Sequence, residues 1–296
     1  MDKVSVCIVT RNRKDQLIRA IKSVDCQNYD NIEIVVVDNN STDGTSEAIR
    51  TLFPEVKIIK LHKNIGCPPA RNIGMANTTG EYILSLDDDG YLDPTAVKNS
   101  ISIMEQYGSI GIVMFDIIEH GKTRFTRNDD LSLMTSYSGG ACLIRAEMLK
   151  TVGYYEDAFF RQAEEVDYSI RMFENNFYVA FSRKCIMYHC PEHQNIGNND
   201  FTIMTFINKA IILIKFAPVK RMMYGLLRSI AGHGWLMFKQ NALLKYFQGL
   251  LILSIKIPYA LKNRKTKKRG YLIHDLINRS QSLYCADICK LQEYIG

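Results

Sequence analysis

Three consecutive carboxylates, Asp87, Asp88 and Asp89, follow the apolar, β-rich run Tyr82-Ile83-Leu84-Ser85-Leu86 and lead directly into Gly90. A strand interior cannot hold three neighbouring negative charges without heavy desolvation and mutual repulsion. The acids are therefore expected to emerge at the strand's carboxyl end, in a crevice. Hard carboxylate oxygens there suit Mg2+ or Mn2+, with substrate phosphates filling the remaining coordination positions. Asp-Gly is also an ordinary turn signal, so a solvated acidic turn is the plain alternative. A second acidic group, Glu164, Glu165 and Asp167, runs into Ile170 and Met172. Such acids suit the first turn of a helix, where they meet its positive dipole end, and one of them is enough for general-base chemistry.

Strand-like and helix-like segments alternate in front of the triplet: Val4 to Val9, a helix near Lys14 to Ser23, Ile32 to Val37, a helix near Thr45 to Leu52, and Val56 to Leu61. This pattern predicts βαβαβ with parallel strands, and ligands gathering at their carboxyl ends. The residues there are polar: Thr10, Asn12 and Arg13 after the first strand, then Asp38, Asn39, Ser41 and Asp43 after the second. Tyr82 to Leu86 brings the acidic triplet to the same rim. Further strands are expected near Ile110 to Phe115, Ala141 to Ile144 and Tyr178 to Phe181, with a helix from Glu165 to Phe173. Beyond residue 200 the pattern turns to long helices rich in Leu, Ile, Met and Phe.

With 296 residues, 47% hydrophobic and 23% charged, the chain can build one large α/β core plus a smaller appendage. A net charge of +6 is too mild to imply a nucleic-acid partner. The eight cysteines are scattered behind an N-terminus that alternates like a strand, which reads as reduced, cytosolic thiols. Neither Cys285 with Cys289 nor His189, Cys190 and His193 has the partner pair that a structural zinc needs.

Taken together, Val6-Cys7-Ile8-Val9-Thr10-Arg11-Asn12-Arg13, Val35-Val36-Val37-Asp38-Asn39-Asn40-Ser41-Thr42-Asp43-Gly44, Asn64-Ile65-Gly66, Ala70-Arg71-Asn72-Ile73-Gly74 and Leu86-Asp87-Asp88-Asp89 resemble the family 2 glycosyltransferases. With the later motifs, the resemblance runs in order through roughly the first 190 residues. It implies the GT-A fold, a nucleotide-binding α/β sandwich, and inverting transfer of a sugar from a nucleotide-diphosphate donor. On that resemblance Thr10, Asn12, Arg13, Asp38, Arg71, Asp87 and Asp88 line the donor, although turn and cap chemistry would also explain the residues after the second strand. Asp87 and Asp89 match the outer positions of the Asp-x-Asp motif and would hold Mg2+ or Mn2+, joined by His189. Ser138-Gly139-Gly140-Ala141-Cys142 looks like the acceptor-side loop, with Gly139, Gly140 and Glu164 on the acceptor; the glycines would equally serve to shape a bend. Glu165 falls where the family's usual Glu-Asp-x-Asp motif places the base, with Glu replacing Asp.

Residues 1–200 are therefore expected to form the GT-A domain, with nucleotide-sugar binding in about 1–100 and the acceptor side and base in about 101–200. Residues 201–296 would form a helical, basic region. No apolar run past residue 200 reaches the length of about 20 residues that a bilayer span needs. The basic run Lys262, Arg264, Lys265, Lys267, Lys268 and Arg269 instead suits helices lying on an anionic leaflet, with a helical cap on the catalytic domain as the alternative. The expected activity is transfer from a UDP- or dTDP-sugar to a lipid-linked or polysaccharide acceptor, in the cytoplasm and peripheral to the inner face of the membrane. A sugar nucleotidyltransferase would need a glycine-rich loop that Thr10-Arg11-Asn12-Arg13-Lys14 lacks, and a non-catalytic sugar-nucleotide-binding subunit would not need Asp87, Asp89 and Glu165.

Overall fold

A computed structural model of the protein describes residues 1–123, 130–191, 198–264 and 283–284. The basic positions 265–269, His193, Cys285 and Cys289 lie outside the described residues. The chain opens with β1 (Val4–Thr10), α1 (Lys14–Asp25), β2 (Ile32–Asp38), α2 (Thr45–Leu52), β3 (Lys57–Lys60), α3 (Cys67–Ala76) and β4 (Tyr82–Asp87). Strand β1 pairs in parallel with both β2 and β4, and β2 with β3. These are the parallel crossovers that the alternating pattern implies. The strand order reverses at β1 and β4, which makes their carboxyl ends the crevice where a doubly wound sheet receives ligands. In the register Val9 faces Asp87, so the acidic triplet leaves the sheet beside the end of β1.

The second half widens the same sheet. Strands β5 (Gly90–Leu92), β6 (Ile110–Glu119), β7 (Lys122–Thr123), β8 (Leu131–Met134), β9 (Ala141–Arg145), β10 (Tyr178–His189) and β11 (Leu283–Tyr284) join it, with α4 (Ala96–Gln106), α5 (Leu149–Val152) and α6 (Glu164–Glu174) between them. The main path runs β11-β8-β10-β6-β9-β4-β1-β2-β3. Strand β9 is wedged between β4 and β6 and antiparallel to both. Strand β10 runs well past Phe181: a register shift between Ser182 and Ile186 lets it continue, so His189 sits on the strand itself, opposite Gly90 of β5.

One face of the sheet is closed by α1 and α4 over Val4, Val6, Ile8, Leu84 and Phe115, the other by Met148, Tyr168 and Met172 over Cys7, Ile83 and Ile112. The carboxyl-terminal part forms α7 (Asn198–Phe216), α8 (Val219–Lys239) and α9 (Leu243–Lys262). Helices α8 and α9 are separated at Gln240, Asn241 and Ala242, where Asn241 takes a positive φ of 52°. Helix α7 buries Phe206, Ile207, Ala210, Ile211 and Ile214 against Phe159 and Ile170 of the sheet domain. At about 1.5–3 kcal/mol for each large side chain removed from water, that seam is a firm attachment. Among the described residues no helix is long and apolar enough to cross a membrane.

Candidate active site

The end of β1, the turn after β4 and the start of α1 form one charged cluster. Thr10 Oγ1 donates to Asp88 Oδ2 at 2.8 Å. Arg13 Nη1 lies 2.7 Å from Asp88 Oδ1 and 2.6 Å from Asp89 Oδ2, holding two of the three acids with one cation. His189 Nε2 is 3.3 Å from Asp89 Oδ1, and its Nδ1 is 3.5 Å from Glu119 Oε2. Burial, opposed by Arg13, pushes the Asp88 carboxyl up to about 6. Asp89 is held below the usual carboxylate range: burial would raise it, and the bond from His189 and the charge of Arg13 outweigh that effect.

Asp87 turns the other way. Its Oδ1 accepts from Arg71 Nη2 at 2.7 Å, and Arg71 Nη1 lies 3.5 Å from Glu164 Oε1 at the start of α6. Arg71 is buried on α3, where Pro68 sits in the first turn and Gly66 precedes the helix with φ +93°. A Cβ at Gly66 would overlap the Phe160 carbonyl, which accepts from the Cys67 N–H at 2.9 Å. The glycine is thus required both by its backbone conformation and by the close approach of residues 153–163.

Gly139 and Gly140 are fitted against the acids. A Cβ at Gly139 would come within 2.7 Å of Arg71 Nη1, and one at Gly140 would overlap the Asp87 carboxyl. The Gly139 N–H donates to Glu165 Oε1 at 3.2 Å, and the Asp87 N–H to the Gly140 carbonyl at 2.9 Å. These glycines allow close approach as well as shaping the entry to β9.

Helix α6 starts at Glu164, one residue earlier than the sequence pattern indicates, from two successive left-handed residues, Gln162 (φ 68°) and Ala163 (φ 63°). Each such non-glycine residue costs about 1–2 kcal/mol, so the turn is strained. Glu164 is buried, and its Oε2 has no hydrogen-bond partner among the described residues. Burial and the neighbouring Glu165 charge push its carboxyl up to about 7, against the pull of Arg71. Glu165 is half-buried and is raised by burial in the same way.

The remaining expected residues lie at the rim. Asp38 is fully buried; its Oδ1 accepts from the Ser41 N–H at 2.7 Å and its Oδ2 from the Ser46 hydroxyl. Asn12 has φ 53°, and its Oδ1 accepts from the Thr42 N–H at 2.8 Å, tying the loop after β1 to the loop after β2. The sequence reading missed Glu119, at the end of β6 beside His189, and the links from α7 to the turn before Glu164. Nothing in the local pattern marked them, because both depend on long-range contacts. A cavity of about 410 Å3 lined by Ile32, Glu33, Ile34 and Glu55 lies at the amino end of β2, away from these acids.

The order of groups along the rim, from β1 through the acidic turn and α3 to α6, coincides with the stretch matched by the family model Glycosyl transferase family 2, residues 5–168. The chain belongs to this family. In sequence, it is 36% identical over 107 residues to the UDP-Glc:alpha-D-GlcNAc-diphosphoundecaprenol beta-1,3-glucosyltransferase WfaP of Escherichia coli, covering 36% of this chain and 42% of WfaP. The chain spans less than half the length of the first curated relatives that it matches. Among solved structures it resembles residues 1–349 of S. aureus TarS in complex with UDP-GlcNAc (TM-score 0.62, 18% identity, 95% of this chain and 93% of that one). It also resembles the mannosyltransferase PcManGT of Pyrobaculum calidifontis in complex with GDP-Man and Mn2+ (TM-score 0.58, 16% identity, 93% and 86%). At these identities the likeness is one of fold, and the fold is the nucleotide-sugar transferase sandwich, GT-A.

Proposed function

We propose that this chain is an inverting glycosyltransferase that moves a sugar from a UDP- or dTDP-linked donor to a lipid-linked or polysaccharide acceptor. The observation that carries the reading is the Arg71 bridge. One buried guanidinium joins Asp87, at the end of β4, to Glu164, at the start of α6, so the donor-side and acceptor-side acids form one electrostatic unit.

In this reading Thr10, Asn12 and Arg13 border the nucleotide and diphosphate, and Asp38 shapes the loop that receives the base. Among the described residues no three His, Cys, Asp or Glu side chains converge to hold a metal ion by themselves. The donor set still fits Mg2+ or Mn2+, which take one or two carboxylates and complete their shell with substrate phosphates and water. Asp89 and His189 would hold the ion, with Asp87 adjacent, and the bound cation would neutralise charge on the departing nucleoside diphosphate. Glu165 takes the proton from the attacking acceptor hydroxyl. Its raised pKa makes it a stronger base, and its bond from the Gly139 N–H fixes its direction. Glu164 lies beside it, its buried Oε2 without a hydrogen-bond partner among the described residues.

Helices α8 and α9 favour a lipid-linked acceptor. Tyr224, Trp235, Phe238, Phe247, Leu251 and Ile255 stand exposed on them, among exposed Lys220, Arg228, Lys239 and Lys262. Aromatic and aliphatic side chains flanked by cations are the surface that an anionic leaflet's interface accepts.

A thermal-shift screen of UDP-, dTDP- and GDP-sugars with and without Mn2+ tests the donor. A true donor stabilises by mass action, about 2.7 kcal/mol at a hundredfold excess over Kd. Metal-dependent stabilisation by a UDP- or dTDP-sugar that is lost in Asp89→Asn supports the assignment; stabilisation by none of them refutes it.

A further inference from the structure

We propose that Asn208 and Lys215 of α7 are positioning residues for the Glu164–Glu165 pair, holding the strained turn and first coil of α6 in the orientation that transfer requires. This rests on the reaction proposed above. Both residues lie outside the stretch that the family model matches. They are seven apart, hence on one face of α7, and both are buried on a helix otherwise packed through Phe206, Ile207 and Ile211.

Each is fully engaged with the entry to α6. Asn208 Nδ2 donates to the carbonyls of Arg161 and Gln162, both at 2.8 Å, and the Thr205 hydroxyl donates to Gln162 Oε1. These contacts fall on the turn whose two left-handed residues, Gln162 and Ala163, immediately precede Glu164. Lys215 Nζ lies 2.5 Å from Asp167 Oδ1 and 2.7 Å from Glu156 Oε2. The other Asp167 oxygen accepts from Arg171 Nε at 2.8 Å, and Arg171 in turn donates to the carbonyls of Val152 and Tyr154. The turn and the helix that follows it are therefore gripped at two points by α7.

A strained turn persists only where its surroundings over-determine it. Released from Asn208, Gln162 and Ala163 would relax toward common backbone angles, and the carboxylates that follow would rotate away from Arg71 and Gly139. A buried Lys–Asp contact is weak evidence for stability but a good device for fixing one geometry, because an alternative register would leave charge unpaired. The donor-side groups on β1 and the β4 turn make none of these contacts, so the effect should fall on turnover and not on nucleotide affinity.

The test compares Asn208→Ala and Lys215→Met with the milder Thr205→Val and Lys215→Arg in the full chain. Three quantities are read: UDP affinity with Mn2+ by calorimetry, UDP release from UDP-glucose, UDP-galactose and UDP-GlcNAc, and amide hydrogen exchange. The expected result is UDP affinity within about twofold of wild type, turnover lowered about 10- to 100-fold, and recovery of most turnover in Lys215→Arg, as a misplacement near 1 Å would produce. Exchange should quicken at residues 163–168 and stay unchanged in β1 and β4. Should Asn208→Ala or Lys215→Met fail to fold, Thr205→Val is expected to show the same pattern more weakly. Unchanged turnover, or turnover and UDP affinity falling together with exchange rising throughout the chain, overturns the proposal. If the wild type neither binds UDP nor releases it from these sugars, and behaves the same way with dTDP and dTDP-glucose, the transfer reading fails. The exchange pattern then still decides whether α7 holds the turn.

Discussion

Arg71 Nη2 lies 2.7 Å from Asp87 Oδ1, so the first acid of the turn after β4 meets a buried cation before any ligand arrives. Asp87 alone among the three acids faces α3, while Asp88 and Asp89 share Arg13. One acidic run is thus divided between two arginines, Arg13 just before α1 and Arg71 on α3.

Removing Arg71 leaves Glu164 buried and Asp87 exposed in part, both without the cation that they share among the described residues. Arg71→Ala is expected to lower stability by about 2–3 kcal/mol, below the full figure for a buried pair because the Asp87 side chain is 39% exposed. It should also reduce both UDP affinity and turnover. Urea unfolding and calorimetry on the variant check both parts; a variant as stable as wild type with unaltered UDP binding contradicts the bridge.

Glu165→Gln keeps shape and loses the proton acceptor. Turnover is expected to fall about 10²- to 10⁴-fold with UDP affinity nearly unaltered. Steady-state kinetics beside a UDP titration measure this, and normal turnover would remove Glu165 from the role of base.

The sign of the pH effect follows from Glu164. Its folded carboxyl titrates near 7, above its ordinary 4.5, so between these values the native state holds more protons than the unfolded chain. Stability from this group is therefore full below about pH 4.5 and declines as pH rises to 7, by about 1–3 kcal/mol. Glu164→Gln should flatten the decline, making the variant relatively more stable at pH 8 than at pH 5. Urea unfolding at both values tests it; an equal slope in both proteins would show that Glu164 ionises normally.

Gly140→Ala forces the Asp87 carboxyl to move, since the added methyl would occupy its place. The expected consequence is weaker Mn2+-dependent UDP binding with the sheet intact. Circular dichroism and calorimetry on the same sample distinguish this from misfolding.

For the helical region, Trp235→Glu with Leu251→Glu should abolish sedimentation with phosphatidylglycerol vesicles while leaving the melting temperature close to wild type, since both side chains are exposed. Sedimentation equal to that of the wild type would rule out this face as the contact with lipid.

The rim was legible in the sequence because its logic is local. Alternating apolar runs fix parallel strands, and polar residues at their ends can only be at one edge. The acids after Leu86 and before Ile170 needed no partner to be noticed. What stayed hidden depends on neighbours distant in sequence. Asp38 reads as a nucleotide contact from its place after β2, whereas its bonds from Ser41 and Ser46, which hold the loop after that strand, become visible only in the fold. His189 reads as following a strand because the irregularity between Ser182 and Ile186 breaks the alternation that would have extended it. Asn208 and Lys215 look like polar interruptions of an apolar helix, and only their contacts with residues 161–167 give them a task.

Strand β9, wedged between β4 and β6, has an architectural consequence. The two halves of the chain are woven into a single fabric: the pairing of β9 with β4 sets Gly139 and Gly140 beside Asp87, one strand spacing of roughly 4.8 Å away, and the Gly139 N–H in turn engages Glu165. Substitutions confined to the surface loops of either half would leave the step from Asp87 to Gly139 to the pairing of the sheet itself.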